Sequence, residues 1–256
     1  MNVLVLGDVV GRQGCDFLLS KLPSLKRLKK ADICIANGEN SAPGNGITPA
    51  SARMLFDSGV DFITTGNHAF RQSEACDFFD NCESLIRPAN FHKSSPGRGW
   101  GIIDKGRIRA GVINLAEFAM NGAENPFNTA DEIIGEMKKT VKVILVDFHG
   151  EMTSWKRAMG FYLDGKVSAF YGTHTHVLTA DEQILEKGTG YITDIGMCGV
   201  INSVLGVNKE TIIKKLTDNL PVRFDTAFGD CMINGCIFEI DESTGKTVSV
   251  ERININ

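Results

Sequence analysis

The run Asn2-Val3-Leu4-Val5-Leu6-Gly7-Asp8 sets the pattern of this chain. Its apolar residues suit a short buried strand, which stops abruptly at Gly7-Asp8. The same figure returns downstream: residues 33–36 end in Asn37-Gly38-Glu39-Asn40, and residues 60–64 end in Thr65-Gly66-Asn67-His68. Helical marks lie between. Phe17, Leu18, Leu22, Leu25 and Leu28 have amphipathic spacing after an expected loop at Gly11-Arg12-Gln13-Gly14, and Pro23 predicts a kink or a late start. Thr48-Pro49 reads as a cap with a first-turn proline, and a further helix is expected after His68, through about Phe79. Strand, polar loop and helix in alternation predict a mostly parallel sheet covered by helices.

From Trp100 the reading changes. Residues 101–104 and 107–115, joined at Lys105-Gly106, predict a hairpin. A helix over 131–139 precedes a fourth apolar strand, 141–146, which ends at Asp147-Phe148-His149-Gly150. A helix over 154–163 leads to a strand over 167–171 and then to Gly172-Thr173-His174-Thr175-His176-Val177. Short β pieces are expected at Ile184-Leu185 and Tyr191-Ile192, a helix over 208–216 with Asn208 as cap, and a closing hairpin over 231–240 and 247–253. No repeat, low-complexity segment or linker divides the sequence, so residues 1–256 are expected to form a single α/β domain.

Composition narrows the partners. Hydrophobic residues make up 43% and charged residues 23%, as in ordinary globular proteins. A net charge of -4 and a pI near 5.8 argue against duplex DNA, which is bound through a basic footprint. Seven cysteines without a Cys-x-x-Cys pair predict free thiols in a reducing compartment. Neither a signal peptide nor an apolar run of membrane-spanning length is read, and the expected setting is the cytoplasm. A homo-oligomer is among the states the sequence allows.

In open α/β sheets, ligands bind beyond the carboxyl ends of the strands. There the chain places Asp8, then Glu39 and Asn40, then Asn67 and His68, then His149, then His174 and His176. His174 and His176, two apart, would point to one side of an extended backbone. Of five histidines only His92 is left out. Singly, Asp8 and Glu39 could be caps, Asn67 an Asx-turn residue and His149 a hydrogen-bonded core histidine. Together, carboxylates and imidazoles suit borderline divalent cations such as Fe(II), Mn or Zn. The donors are too many for one ion that leaves room for substrate, so two ions about 3.5–4 Å apart fit better. Their charge exceeds that of Asp8 and Glu39, which would favour a phosphate oxyanion.

With these residues in view, Gly7-Asp8, Gly38-Glu39-Asn40, Gly66-Asn67-His68, His149 and Gly172-Thr173-His174-Thr175-His176 resemble the blocks of the calcineurin-like metallophosphoesterases. More narrowly, the chain resembles the YmdB-like branch of bacterial cytosolic phosphodiesterases. Further matching segments are Arg87-Pro88-Ala89-Asn90, 164–169, Tyr191-Ile192-Thr193-Asp194-Ile195-Gly196-Met197 and Leu220-Pro221-Val222-Arg223-Phe224, so the likeness spans nearly the whole chain. It implies a four-layer α/β/β/α sandwich, which suits the hairpins better than one sheet. It also implies a dinuclear centre, with Asp8, Glu39, Asn40 and His176 on one ion and Glu39 bridging to a second completed by Asn67, His149 and His174. His68 would be the general acid. The implied reaction is hydrolysis of small nucleotide phosphodiesters, 2′,3′-cyclic nucleotides among them, by metal-activated water.

The sequence departs from the wider superfamily where Val10 stands in place of an imidazole donor, whose role the Asn40 amide would take, and where Glu39 stands for a common Asp; the YmdB-like branch shares both. Ala69-Phe70-Arg71 and 150–155 differ from relatives and flank the site, which leaves substrate preference open. The same donors would also serve a metal- or nucleotide-binding regulatory protein with negligible turnover, or a phosphomonoesterase or nucleotidase. No Gly-x-Gly-x-x-Gly follows the first strand, which disfavours a dinucleotide fold. Arg12 and Arg98 could reach substrate phosphate, though solvated surface is the ordinary place for arginine. Cys198 reads as a core residue or a redox-sensitive thiol.

Overall fold

The computed structural model describes residues 1–219, 221–222 and 225–256; of the segment 220–224, only Pro221 and Val222 fall among them. The elements run β1 (Asn2–Leu6), β2 (Asp8–Val9), α1 (Gly11–Leu28), β3 (Ile33–Asn37), α2 (Pro49–Asp57), β4 (Phe62–Thr64) and α3 (Ala75–Asn81). Next come β5 (Trp100–Asp104), β6 (Arg109–Ala116), α4 (Pro126–Met137), β7 (Ile144–His149), α5 (Thr153–Leu163) and β8 (Ala169–Thr173). The chain closes with β9 (Gln183–Ile184), β10 (Gly190–Ile192), β11 (Met197–Val200), α6 (Lys209–Asp218), β12 (Cys231–Asp241) and β13 (Lys246–Ile255). One sheet has the order β2-β11-β12-β1-β3-β4, with β13 beside β12; the other has β5-β6-β7-β8-β10-β9. A single mostly parallel sheet is therefore replaced by two mixed sheets. Parallel pairing is confined to β1-β3-β4, β2-β11 and β6-β7-β8-β10, while hairpins and crossing strands supply the antiparallel pairs.

Side-chain alternation explains the layering. On β1, Val3 and Val5 enter a core shared with Leu145 and Tyr171 of the opposite sheet, while Leu4 and Leu6 face a separate core with Leu18 and Leu22 of α1 and Leu55 of α2. On β7 and β8, Leu145 and Ala169 join the central core, whereas Ile144, Val146 and Phe170 meet Ile134 of α4 and Met159 of α5 in a third. Successive strand residues point to opposite faces, so each sheet is buried on both. Three stacked cores between four layers follow: helices, sheet, sheet, helices. Each fully buried Val, Leu, Ile or Phe contributes roughly 1.5–3 kcal/mol relative to exposure.

Several local expectations hold. Thr48 caps α2 through Ser51 N, with Pro49 in the first turn; Asn208 caps α6; and β5 pairs with β6 from Trp100↔Ile113 to Asp104↔Arg109. Others need correction. Residues 11–14 are not a loop but the first turn of α1, and the helix runs on through Pro23 rather than starting late. Packing decides this: a Cβ at Gly14 would lie 2.4 Å from Cys198 O on β11, so glycine lets the helix start close to the sheet. After His68 the backbone makes turns, and α3 begins only at Ala75. Gln72 holds that stretch by donating from Nε2 to Pro43 O and Asn45 O at 3.2 and 2.8 Å. No helix among the described residues is long and apolar enough to cross a membrane.

Candidate metal centre

The proposed donors all lie at carboxyl ends of strands. Asp8 follows β1 across Gly7 and pairs with Met197 at the start of β2. Glu39 and Asn40 sit in the turn after β3, where Asn37 Oδ1 accepts from Glu39 N at 3.1 Å. Asn67 and His68 follow β4, His149 is the last residue of β7, and His174 and His176 follow β8. Gly66 is required there: a Cβ on it would lie 2.2 Å from His149 Nε2 and Cδ2.

The His-x-His stretch departs from its expected conformation. Its backbone is not extended: φ is 97° at His174 and 62° at His176, in the left-handed region that costs non-glycine residues free energy. The loop is held from three sides. Asp194 Oδ2 accepts from Thr175 N at 3.2 Å and Thr175 Oγ1 at 2.8 Å, Asp8 Oδ2 accepts from His174 N at 3.1 Å, and His176 Nδ1 donates to Leu205 O at 3.0 Å. These bonds, not strand alternation, direct His174 toward His149 and His176 toward Asp8 and Asn40.

The donors form two groups that share one carboxylate. His149 Nε2 lies 3.0 Å from each of Glu39 Oε1, Asn67 Oδ1 and His174 Nδ1. Ligand atoms of Glu39, His149 and His174 fall within 4.8 Å of one another and could hold an ion. In the second group, Asn40 Nδ2 is 3.4 Å from Asp8 Oδ1, 3.4 Å from Glu39 Oε1 and 3.2 Å from His176 Nε2, and His176 Nε2 is 3.6 Å from Asp8 Oδ1. A half-turn of the Asn40 amide would exchange its Nδ2 for Oδ1. His68 stands at the edge: its N donates to Glu39 Oε2 at 3.0 Å, and its Nδ1 lies 3.0 Å from Asn40 Oδ1.

Charge shows why this arrangement suits cations. Asp8 and Glu39 are 0% and 1% exposed, and their ion-pair partners are imidazoles, without Lys or Arg among the described residues. Burying carboxylates this way demands compensating positive charge. Burial pushes the Glu39 carboxyl up, but His149 and His68 outweigh it and hold it below its ordinary range; His176 and His149 do the same for Asp8. Burial opposes charge on His149, yet Glu39, Asp8 and Asp147 raise it to about 9. His174 is lowered by burial and by His149. Protons on imidazole thus supply the charge that divalent ions would supply, and the donor set fits such ions.

Residues outside the expected set orient these ligands. Thr173 Oγ1 donates to Asp147 Oδ1 at 2.7 Å and lies 2.9 Å from His149 Nδ1. With the hydroxyl proton committed to Asp147, His149 Nδ1 donates to Thr173 and directs Nε2 toward Glu39, Asn67 and His174. Asp147 is fully buried, which pushes its carboxyl up to about 7. Glu151 Oε2 reaches His174 Nε2 at 3.1 Å from the surface. Asp147 and Thr173 are chain neighbours of the named histidines, and Asp194 lies in a segment already singled out; Lys156, which binds Asp194, carries no sequence signal.

His92 stays outside the donor cluster, across a cavity of about 490 Å³ that also holds His68, Arg71 and Phe91 in its walls. Arg12 pairs with Asp16 and Arg98 with Glu83 on the surface. All seven cysteines are free, and Cys198 is a core residue whose thiol is pushed up by burial.

The YmdB-like protein family matches residues 4–253. The chain is 46% identical over 257 residues to the 2′,3′-cyclic-nucleotide 2′-phosphodiesterase of Bacillus subtilis (strain 168), covering 100% of this chain and 97% of that protein. Among solved structures it is similar to a hypothetical protein from Thermus thermophilus, at TM-score 0.93 and 33% identity over 99% of this chain and 98% of that one. A phosphatase from Mycoplasma pneumoniae superposes at TM-score 0.92 with 34% identity, covering 100% and 93% of the two chains. Strand-end donors, paired sheets and whole-length sequence agreement place this chain in the YmdB-like family.

Proposed function

We propose that this chain is a phosphodiesterase that opens 2′,3′-cyclic nucleotides at a centre of two divalent ions, Fe(II) or Mn before Zn, as one cytoplasmic domain over residues 1–256. The observation that carries the reading is Glu39, a buried carboxylate placed between two sets of imidazole and amide donors without a Lys or Arg counter-charge among the described residues. Asp8, Glu39, Asn40 and His176 would hold one ion; Glu39, Asn67, His149 and His174 would hold the other. When bound, such ions supply charge neutralisation for the phosphate and acidify water toward neutral pH.

The chain's own residues account for the rest. Thr173 and Asp147 hold His149 in one tautomer, and Asp194 fixes the backbone between His174 and His176. His68 Nδ1 lies 3.0 Å from the Asn40 side-chain amide; with Asn40 turned to give its oxygen to the ion, its Nδ2 would donate to His68 Nδ1, and the ring proton would sit on Nε2, toward the leaving oxygen at the cavity rim. General-acid transfer of this kind contributes roughly 10²–10⁴-fold in rate. The cavity beside His68, about 490 Å³, has room for a nucleoside moiety.

The test is elemental analysis of anaerobically purified protein, followed by incubation with 2′,3′-cyclic AMP, bis-p-nitrophenyl phosphate and p-nitrophenyl phosphate. Metal-dependent release of a nucleoside monophosphate from the cyclic diester, faster than cleavage of the monoester, is expected. Faster monoester cleavage would make the chain a nucleotidase or phosphatase, and metal binding without turnover would make it a regulatory binder.

A further inference from the structure

Arg87-Pro88-Ala89-Asn90 is a matching segment that the metal centre leaves unused. Arg87 is 6% exposed, and among the described residues no acidic side chain pairs with it. Its Nη1 donates to Pro88 O at 2.9 Å and Ala89 O at 3.3 Å, but its buried Nε has no partner among the described residues. Stripping a cation of water without a counter-charge is costly, and burial accordingly pulls the Arg87 guanidinium down from its ordinary range.

The same guanidinium lines a cavity of about 370 Å³, distinct from the one beside His68 and separated from it by Phe91, which contributes to both. The first turn of α4 forms another wall through Asn128 and Thr129. A helix of that length presents the positive end of its dipole there, where anions are stabilised. Lys93 adds positive charge at the rim, where Arg98 is already paired with Glu83 and the exposed Glu124 and Glu132 oppose it. Trp100, half-buried, supplies an aromatic surface to the same space.

We propose that this cavity is a second ligand site, which takes the phosphate of a small phosphomonoester on Arg87 and the start of α4. A buried guanidinium without a carboxylate partner among the described residues and a helix N-terminus converge on one space, with Lys93 at its rim, and a phosphate dianion would satisfy them together. Trp100 then lies where a planar group attached to that phosphate could stack.

Trp100 is also the reporter. The chain has two tryptophans, so the Trp155→Phe holoenzyme leaves Trp100 as the sole indole. Its emission is followed during titration with adenosine 3′-monophosphate, inorganic phosphate and adenosine. A saturable change with both phosphate-bearing probes and none with adenosine is expected; tighter binding of the nucleotide assigns the ring to Trp100, and equal binding assigns the site to phosphate alone. Asn128→Asp, on an exposed first-turn position that tolerates acidic residues, should weaken both by at least about tenfold through like-charge repulsion, and Arg87→Met should abolish the response. An equal response to adenosine, an unchanged affinity in Asn128→Asp, or a response that vanishes when metal is chelated would overturn the proposal, the last by assigning binding to the metal centre.

Discussion

Lys156 Nζ on α5 lies 2.6 Å from Asp194 Oδ2, with both side chains at most 1% exposed, and that same oxygen accepts from Thr175 between His174 and His176. A fully buried ion pair therefore clamps the left-handed loop that carries two of the candidate ligands. Removing one partner leaves an unpaired buried charge, which costs about 3–5 kcal/mol. Asp194→Ala should lose that much stability in urea denaturation. The double variant Lys156→Met/Asp194→Leu should regain much of the stability without restoring metal binding, since Thr175 would still lack its acceptor. Equal stability of the single and double variants would show that the pair is not the source of the loss.

His68 is assigned proton transfer, which makes its contribution depend on the leaving group. His68→Ala should keep its metal content, lose roughly 10²–10⁴-fold in kcat on 2′,3′-cyclic AMP, and lose much less on bis-p-nitrophenyl phosphate, whose phenolate departs without help. Equal losses on the two diesters would remove the acid assignment.

The two donor groups share Glu39 but not Asp8 or Asn67, so metal content should fall in steps. Glu39→Ala should empty the centre, whereas Asp8→Ala and Asn67→Ala should each retain about half of the wild-type metal, because one group keeps its donors. The readout is metal per chain by elemental analysis. Full loss in all three variants would point to a single cooperative site.

Gly66 packs against the face of the His149 imidazole, where an added Cβ would sit 2.2 Å from Nε2. Gly66→Ala should cost about 1–3 kcal/mol by overpacking and reduce metal affinity by turning the His149 ring. Unfolding and metal titration of that variant, compared with Gly135→Ala at an open helical position, check the claim. Similar behaviour of the two variants would mean that the ring moves aside at no cost.

Most of the architecture is legible in the chain because periodicity records which faces are buried. Alternating Val3, Leu4, Val5 and Leu6 feed two different cores, Thr48 and Asn208 cap their helices, and each donor follows an apolar strand. Such local signals placed Asp8, Glu39, Asn40, Asn67, His68, His149, His174 and His176 at one rim, but they did not reveal that the sheet divides in two. That division depends on strand pairing between distant segments, such as Asn2↔Glu239. Nor could they reveal α1 beginning at Gly11, because its start depends on contact between Gly14 and Cys198.

The tertiary structure alone decided how the donors meet. Spacing in the His-x-His stretch suggested an extended strand, yet positive φ at both histidines is imposed by bonds to Asp8, 166 residues away, and to Asp194. Lys156 beneath Asp194 and Asp147 behind His149 acquire their roles only when separate strands and helices close on one another. Sequence pattern encodes burial along a strand or helix, whereas the position of a charge relative to another charge is set by register and packing across the whole fold.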